Sequence, residues 1–175
     1  MNSNPWTENP VIWQSRFNLQ DGGQVSIRPF QPADRAEVTA LLERLSPQTR
    51  YHRFHSAAVR INAEMLDLVT AGHALVAEVE GRIVGLASYH LAQDSSEAEI
   101  GILVEDAHQR RGIGTKLSAC LAGHAQHAGV RRLRAETLSV NAGMIRLLRG
   151  LNYPLTYTSA QSVIEFDIEL QPAAA

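Results

Sequence analysis

Gln109-Arg110-Arg111-Gly112-Ile113-Gly114-Thr115 stands between a β-patterned apolar stretch, Ala98 to Val104, and a helical one, Gly112 to Ala128. A strand-to-helix turn aims unpaired backbone N–H groups and the positive end of a helix at one point, a site for phosphate. Gly112 and Gly114 let the backbone close round an anion with no Cβ in the way. Arg110 and Arg111 add local positive charge. The plain alternative is a glycine-containing turn with solvated arginines. Two other phosphate loops do not fit. A dinucleotide-binding G-x-G-x-x-G needs glycine where Leu117 stands, and a G-K-[ST] P-loop does not place Thr115 before Lys116.

Outward from this loop the chain alternates between two periods. Upstream, Val25 and Ile27 alternate with Ser26 and Arg28 as a first strand after the turn Asp21-Gly22-Gly23. Pro32 opens a helix whose Val38, Leu41, Leu42 and Leu45 share one face. Ser46-Pro47 starts a second helix, and Asn62 caps a third that carries Met65, Leu66 and Val69. Ala74 to Val79 and Arg82 to Leu91, joined by Glu80-Gly81, form a hairpin of mostly buried strands. Downstream come a strand from Arg132 to Leu138, a short helix from Ala142 to Leu151, and strands near Tyr153 to Thr158 and Val163 to Leu170. The architecture this predicts is α/β, a mixed sheet with helices on both faces.

The chain has 175 residues, 45% hydrophobic and 19% charged, with a formal charge of −2. That is one globular domain, not a disordered or fibrous chain. There is no overall field to draw in nucleic acid or an anionic membrane, so neither is an expected partner and an anionic ligand needs a local site. One cysteine, Cys120, excludes an internal disulfide framework. No apolar run approaches the roughly 20 residues of a membrane span, and Met1 to Gln20 lacks the pattern of a secretory signal. A cytoplasmic location follows as the expectation. Residues 1–23, with Trp6, Trp13 and Phe17, read as an N-terminal arm, residues 24–170 as the folded domain and residues 171–175 as a flexible tail.

Gln109-x-x-Gly112-x-Gly114 after a strand and before a helix resembles the acyl-CoA loop of the GNAT N-acetyltransferases. A strand ending in Ser139-Val140-Asn141, followed by a short helix, agrees with that family. Leu45-Ser46-Pro47-Gln48-Thr49-Arg50-Tyr51-His52-Arg53-Phe54 is similar to the "LSPESRYLRF" helix of the GNAT domain in bacterial Pat-type protein-lysine acetyltransferases. Asn141-x-x-Met144-x-x-Leu147 also resembles that branch. The resemblance covers Val25 to Leu170, nearly the whole domain.

It implies the GNAT fold: a mixed, mostly antiparallel sheet, with a bulge in the strand before the loop and a splay from the next strand at the cofactor site. The backbone of Ile102, Leu103 and Val104 would then bond the pantetheine of acetyl-CoA like an added strand. N–H groups from Arg110 through Arg111, Gly112, Ile113 and Gly114 to Thr115 would hold the pyrophosphate behind Gln109. Asn141 would bond the pantetheine arm or a water beside it, while its plain role is a helix N-cap. Glu99 matches the family's general base, needed because a lysine ammonium near pKa 10.4 must lose its proton before attack. Glu97 is the neighbouring alternative. The tyrosine that many GNATs use to protonate the leaving thiolate is replaced by Leu148, which agrees with the Pat-like branch. Tyr153 reads as core or pocket wall.

The implied activity is transfer of acetyl from acetyl-CoA to a primary amine, a protein lysine being favoured. A small-molecule amine and a non-catalytic acyl-CoA-binding module are the alternatives. Dimerisation is frequent in the family, so a homodimer is among the expected partners. No metal is expected. The pairs His124/His127 and His52/His55 would each need a further convergent ligand, and acetyl transfer needs no metal. Arg131, Arg132 and Arg134 read as a solvated edge or as contacts to the adenosine phosphate. Arg50 and Arg53 lie in the helix that shapes the acceptor groove in this family, and Cys120 is packing.

Overall fold

The computed structural model describes residues 14–56, 58–92 and 96–170. Trp6, Trp13 and the tail from Gln171 lie outside the described residues. Eight strands form one open sheet: β1 Ser15–Asn18, β2 Gln24–Pro29, β3 His73–Val79, β4 Arg82–Leu91, β5 Glu97–Val104, β6 Arg132–Leu138, β7 Leu155–Ala160 and β8 Val163–Glu169. Their order is β1-β2-β3-β4-β5-β6-β8-β7. Neighbours are antiparallel except β5 and β6, which run parallel. The stretch Ser15–Asn18, grouped above with the arm, is an edge strand. The turn returns it to β2: Gly22 takes φ +84°, and Leu19 N donates to Gly23 O at 2.7 Å.

Helices cover both faces, as the apolar periods require. On one side α1 (Arg35–Arg44) and α3 (Ala63–Thr70) bury Val38, Leu41, Leu42, Leu66 and Val69 against Val76, Ile83 and Leu86 of the sheet. Between them in sequence, α2 (Pro47–Phe54) lies against β5 and β6. On the other side α4 (Ile113–His127) sets Ile113, Leu117 and Leu121 over Ala87, Tyr89 and Ile102, and α5 (Ala142–Arg149) adds Leu148. The caps are those the sequence signals: Ser46 Oγ accepts from Thr49 N, and Asn62 Oδ1 from Met65 N.

The feature that positions the site is a divergence of two strands. β5 pairs with β6 only at Glu97–Arg132, Ala98–Leu133 and Glu99–Arg134. Its other edge stays paired with β4 from Ala98 to Val104. The β6-facing backbone of Ile100 to Val104 therefore has no strand partner. β6 leaves because it is paired along its whole length, Arg132 to Leu138, with β8. The bulge expected in β5 is not found in its pairing with β4, which is regular; among these strands the register shift falls between Ala77 and Glu78 of β3. Opening the sheet needs only β6 to turn away while β5 keeps its register with β4.

Candidate functional site

The gap between β5 and β6 opens into a cavity of about 360 Å³ bounded by α2, β5, the start of α4 and the start of α5. Ile102, Leu103 and Val104 line it, with both isoleucine and leucine side chains buried in the cores on either side of the sheet. What these residues present to the cavity is therefore backbone, the unpaired edge described above.

At one end lies the loop before α4. Lys116 N is the first amide of the helix to donate back, to Gly112 O at 3.1 Å. The N–H groups of Ile113, Gly114 and Thr115 have no helical acceptor, as at any helix start. Arg110 (φ +60°) and Gly112 (φ +88°) both adopt left-handed backbone, which turns the chain from the strand into the helix. Gly114 is small for a packing reason: an added Cβ would stand 2.8 Å from Leu147 Cδ1. Gln109 braces the loop, its Nε2 donating to Val104 O at 3.0 Å and to Thr49 Oγ1 at 3.3 Å.

The remaining loop residues divide. Arg110, Gly112, Gly114 and Thr115 line the cavity. Ile113 is buried in the core and contributes only its backbone. Arg111 turns away: its Nε bonds Asp21 Oδ2 at 2.5 Å and its Nη1 lies 2.8 Å from His108 Nδ1. Arg111 thus ties the β1–β2 turn to the loop. Asn141 lines the cavity and caps α5 at once, its Oδ1 accepting from Met144 N at 3.2 Å.

The two glutamates of β5 are in different states of engagement. Glu97 is clamped by Arg132 Nη1 and Arg134 Nη2, each at 3.0 Å. Two of the arginines considered for phosphate are occupied there. Glu99, at the last rung before the strands part, is exposed and makes no ion pair among the described residues. Its charge acts on Arg53: burial pushes that guanidinium below its usual range, and Glu99 opposes the shift.

Sequence reading missed part of the wall. Thr49 and His52 of α2 and Arg146 of α5 line the cavity, as do Gly143, Met144 and Leu147. Met144 and Leu147 carried a signal, the Asn141-x-x-Met144-x-x-Leu147 spacing. Leu148, one step further round α5, is fully buried instead. Tyr153 is half-buried, its hydroxyl 3.5 Å from Gln126 Oε1. Among the described residues no group of three or more His, Cys, Asp or Glu side chains is arranged to hold a metal ion. Cys120 is half-buried, and burial pushes its thiol up. Nor is any described helix long and apolar enough to cross a membrane.

A free strand edge leading to a ring of unpaired amides matches an elongated ligand that ends in phosphate. The model of the acetyltransferase (GNAT) family matches residues 38–153. The chain belongs to the GNAT acetyltransferase family. An acetyltransferase of Pseudomonas aeruginosa is 29% identical over 145 residues, 78% of each chain. The acetyltransferase Pat of Mycolicibacterium smegmatis is 27% identical over 140 residues, and the match spans 76% of this chain and 42% of that protein. The GNAT domain of S. lividans PAT superposes with a TM-score of 0.84 at 27% identity, covering 93% of this chain and all (100%) of that one. YncA, a putative acetyltransferase from Salmonella typhimurium solved with its cofactor acetyl-CoA, gives a TM-score of 0.65 at 25% identity, over 86% of this chain and 96% of that one. This GNAT domain is an acetyltransferase that uses acetyl-CoA as co-substrate.

Proposed function

We propose that the protein moves acetyl directly from acetyl-CoA to a lysine side chain of a cytoplasmic protein, with Glu99 as general base. The observation that carries this reading is the parting of β5 and β6 immediately after Glu99, whose exposed carboxylate no ion pair holds among the described residues. The likeness to two Pat proteins, over nearly all of one GNAT domain, supports a protein lysine as acceptor.

Acetyl-CoA, when bound, supplies an activated acyl group with a fair leaving group. The chain's own part is positioning and proton transfer. The backbone of Ile102 to Val104 holds the pantetheine as an added strand. The amides from Arg110 to Thr115, at the positive end of α4, hold the pyrophosphate. Asn141 bonds the pantetheine arm. Glu99, directly or through a water, takes the proton from the lysine ammonium so that a neutral amine attacks. Glu97 cannot share that duty while it neutralises Arg132 and Arg134. With Leu148 in the core, water supplies the proton to the departing thiolate.

Glu99→Gln is the test. Turnover with a lysine peptide, followed by CoA release, should fall by about 10²-fold or more, the scale of lost base catalysis. Acetyl-CoA affinity should hold, read as an unchanged melting shift of roughly 5–10 °C at about 100 times the dissociation constant. Unchanged turnover would remove Glu99 from the mechanism. CoA release with small amines but with no lysine peptide would move the acceptor to the small-molecule class, and no release with either would leave an acyl-CoA-binding module.

A further inference from the structure

Arg53 stands at the end of the cleft opposite the phosphate loop. It projects from the last turn of α2 onto β5, where its guanidinium rests against Gly101 so closely that a Cβ there would collide with Nη2 and Cζ. Gly101 is thus a seat cut for this side chain. Arg53 Nε is fully enclosed and has no hydrogen-bond partner. The other half-buried arginines are satisfied by oxygen: Arg28 by Asp34 and Glu78, Arg44 by Glu105, Arg50 by Glu43 O, Arg111 by Asp21, Arg132 by Glu97. Among the described residues Arg53 alone combines enclosure with the lack of an oxygen partner. It also lines the cavity.

An enclosed guanidinium is always charged, and leaving its donors unmade is costly. Its planar fork matches the two oxygens of a carboxylate. The protein supplies none: Glu97 is held by Arg132 and Arg134, Asp106 by Ser46 and Thr49, and Glu99 interacts by charge alone. Arg110 and Arg146 add positive charge to the same cavity. On the reading that acyl-CoA lies along Ile102 to Val104 with its phosphates at Gly112, Arg53 meets the acyl group and the incoming amine, not the nucleotide.

We propose that Arg53 is a carboxylate receptor at the transfer end of the cleft, so that, besides acetyl-CoA and a protein lysine, the enzyme takes a substrate bearing a carboxylate there. The carboxylate comes either from the acyl chain, as in a dicarboxylic acyl-CoA, or from the amine acceptor, as in an amino acid. This rests on the proposed placement of acyl-CoA, but it requires no turnover and does not depend on Glu99 being the base.

Equilibrium binding separates the sources. In one arm succinyl-CoA is compared with butyryl-CoA, matched in chain length. In the other, L-lysine is compared with L-lysinamide on the intact protein saturated with CoA. The carboxylate-bearing member of at least one pair should bind on the order of tenfold tighter. Arg53→Met should erase that difference while leaving butyryl-CoA affinity within about twofold, and Arg53→Lys should keep part of it. If Arg53→Met does not fold, Arg53→Lys and Arg53→Gln give the same ordering, their folding confirmed by the butyryl-CoA melting shift. Equal binding within both pairs, or a preference that survives loss of the guanidinium, overturns the proposal. Failure of every CoA thioester to bind would instead overturn the placement of acyl-CoA, and this inference with it.

Discussion

Glu97 and Glu99 are two residues apart on the same face of one strand, and ion pairing separates them. The Glu97 carboxylate has two arginine partners at 3.0 Å; Glu99 has no ion pair within the described residues, and its charge acts on Arg53. A base must be free to exchange its proton with a substrate, which the first arrangement opposes. Leu148 makes a similar distinction on α5. Met144 and Leu147 face the cleft, whereas Leu148 is 0% exposed and belongs to the core. Leu148→Tyr should therefore cost about 1–3 kcal/mol by overpacking, seen as a lower urea midpoint, with no rise in turnover. A stable and faster variant would put that position at the thioester after all.

At the scale of elements, α2 is the piece whose placement matters most for the cleft. Its N-cap Ser46 accepts from Thr49 N at 3.1 Å and donates to Asp106 Oδ1 at 2.7 Å, and Thr49 Oγ1 also donates to Asp106 Oδ1, at 2.7 Å. Thr49 in turn receives Gln109 Nε2. The start of α2 is thus tied to the loop before α4 through Asp106 and Gln109. Burial alone would raise the Asp106 carboxyl, but the hydrogen bonds from Ser46 N and the two hydroxyls outweigh it and hold it below the ordinary value of 3.8. A depressed folded value means that the contact stabilises fully above 3.8 and is lost as pH falls through the lower folded value. Ser46→Ala should cost about 1 kcal/mol for the cap plus the Asp106 contact. The gap in melting temperature from the parent should be widest near neutral pH and narrow in acid. A gap independent of pH would mean that Asp106 does not depend on Ser46.

For the whole molecule, one source of acid sensitivity lies between β4 and α4. Tyr89 is fully buried with its hydroxyl 3.3 Å from His124 Nδ1, and His73 stacks on the phenol at 4.6 Å. Burial, then the neighbouring His73 and His127 charges, push the His124 imidazole down to about 4. Burial also pushes the Tyr89 phenol up, so a protonated phenol faces a neutral ring. A histidine kept neutral in the fold and free to protonate when unfolded favours unfolding as pH drops. Stability is full above the ordinary value of 6.5 and declines as pH falls from there toward about 4. The loss at this site is about 3 kcal/mol. His124→Asn should flatten the denaturation midpoint across that window; an unchanged slope would assign the acid sensitivity elsewhere.

The order of elements, the caps Ser46, Asn62 and Asn141, and the glycine turn into α4 were legible in the chain itself, because each is a local relation of period, dihedral preference or a bond over three residues. The unpaired amides at the start of α4 were legible for the same reason. The short strand β1 was not, since four residues of mixed polarity gain their meaning only from β2. Nor could spacing tell that Arg111 turns from the cleft to Asp21, 90 residues away, or that Glu97 is clamped by arginines of β6. Arg53 was visible as a charge on a helix, but its enclosure over Gly101 depends on α2 meeting β5. Ion pairs and burial form between parts of the chain that only the folded sheet brings together, so the tertiary structure decided which charges are spent on the fold and which are left for a substrate.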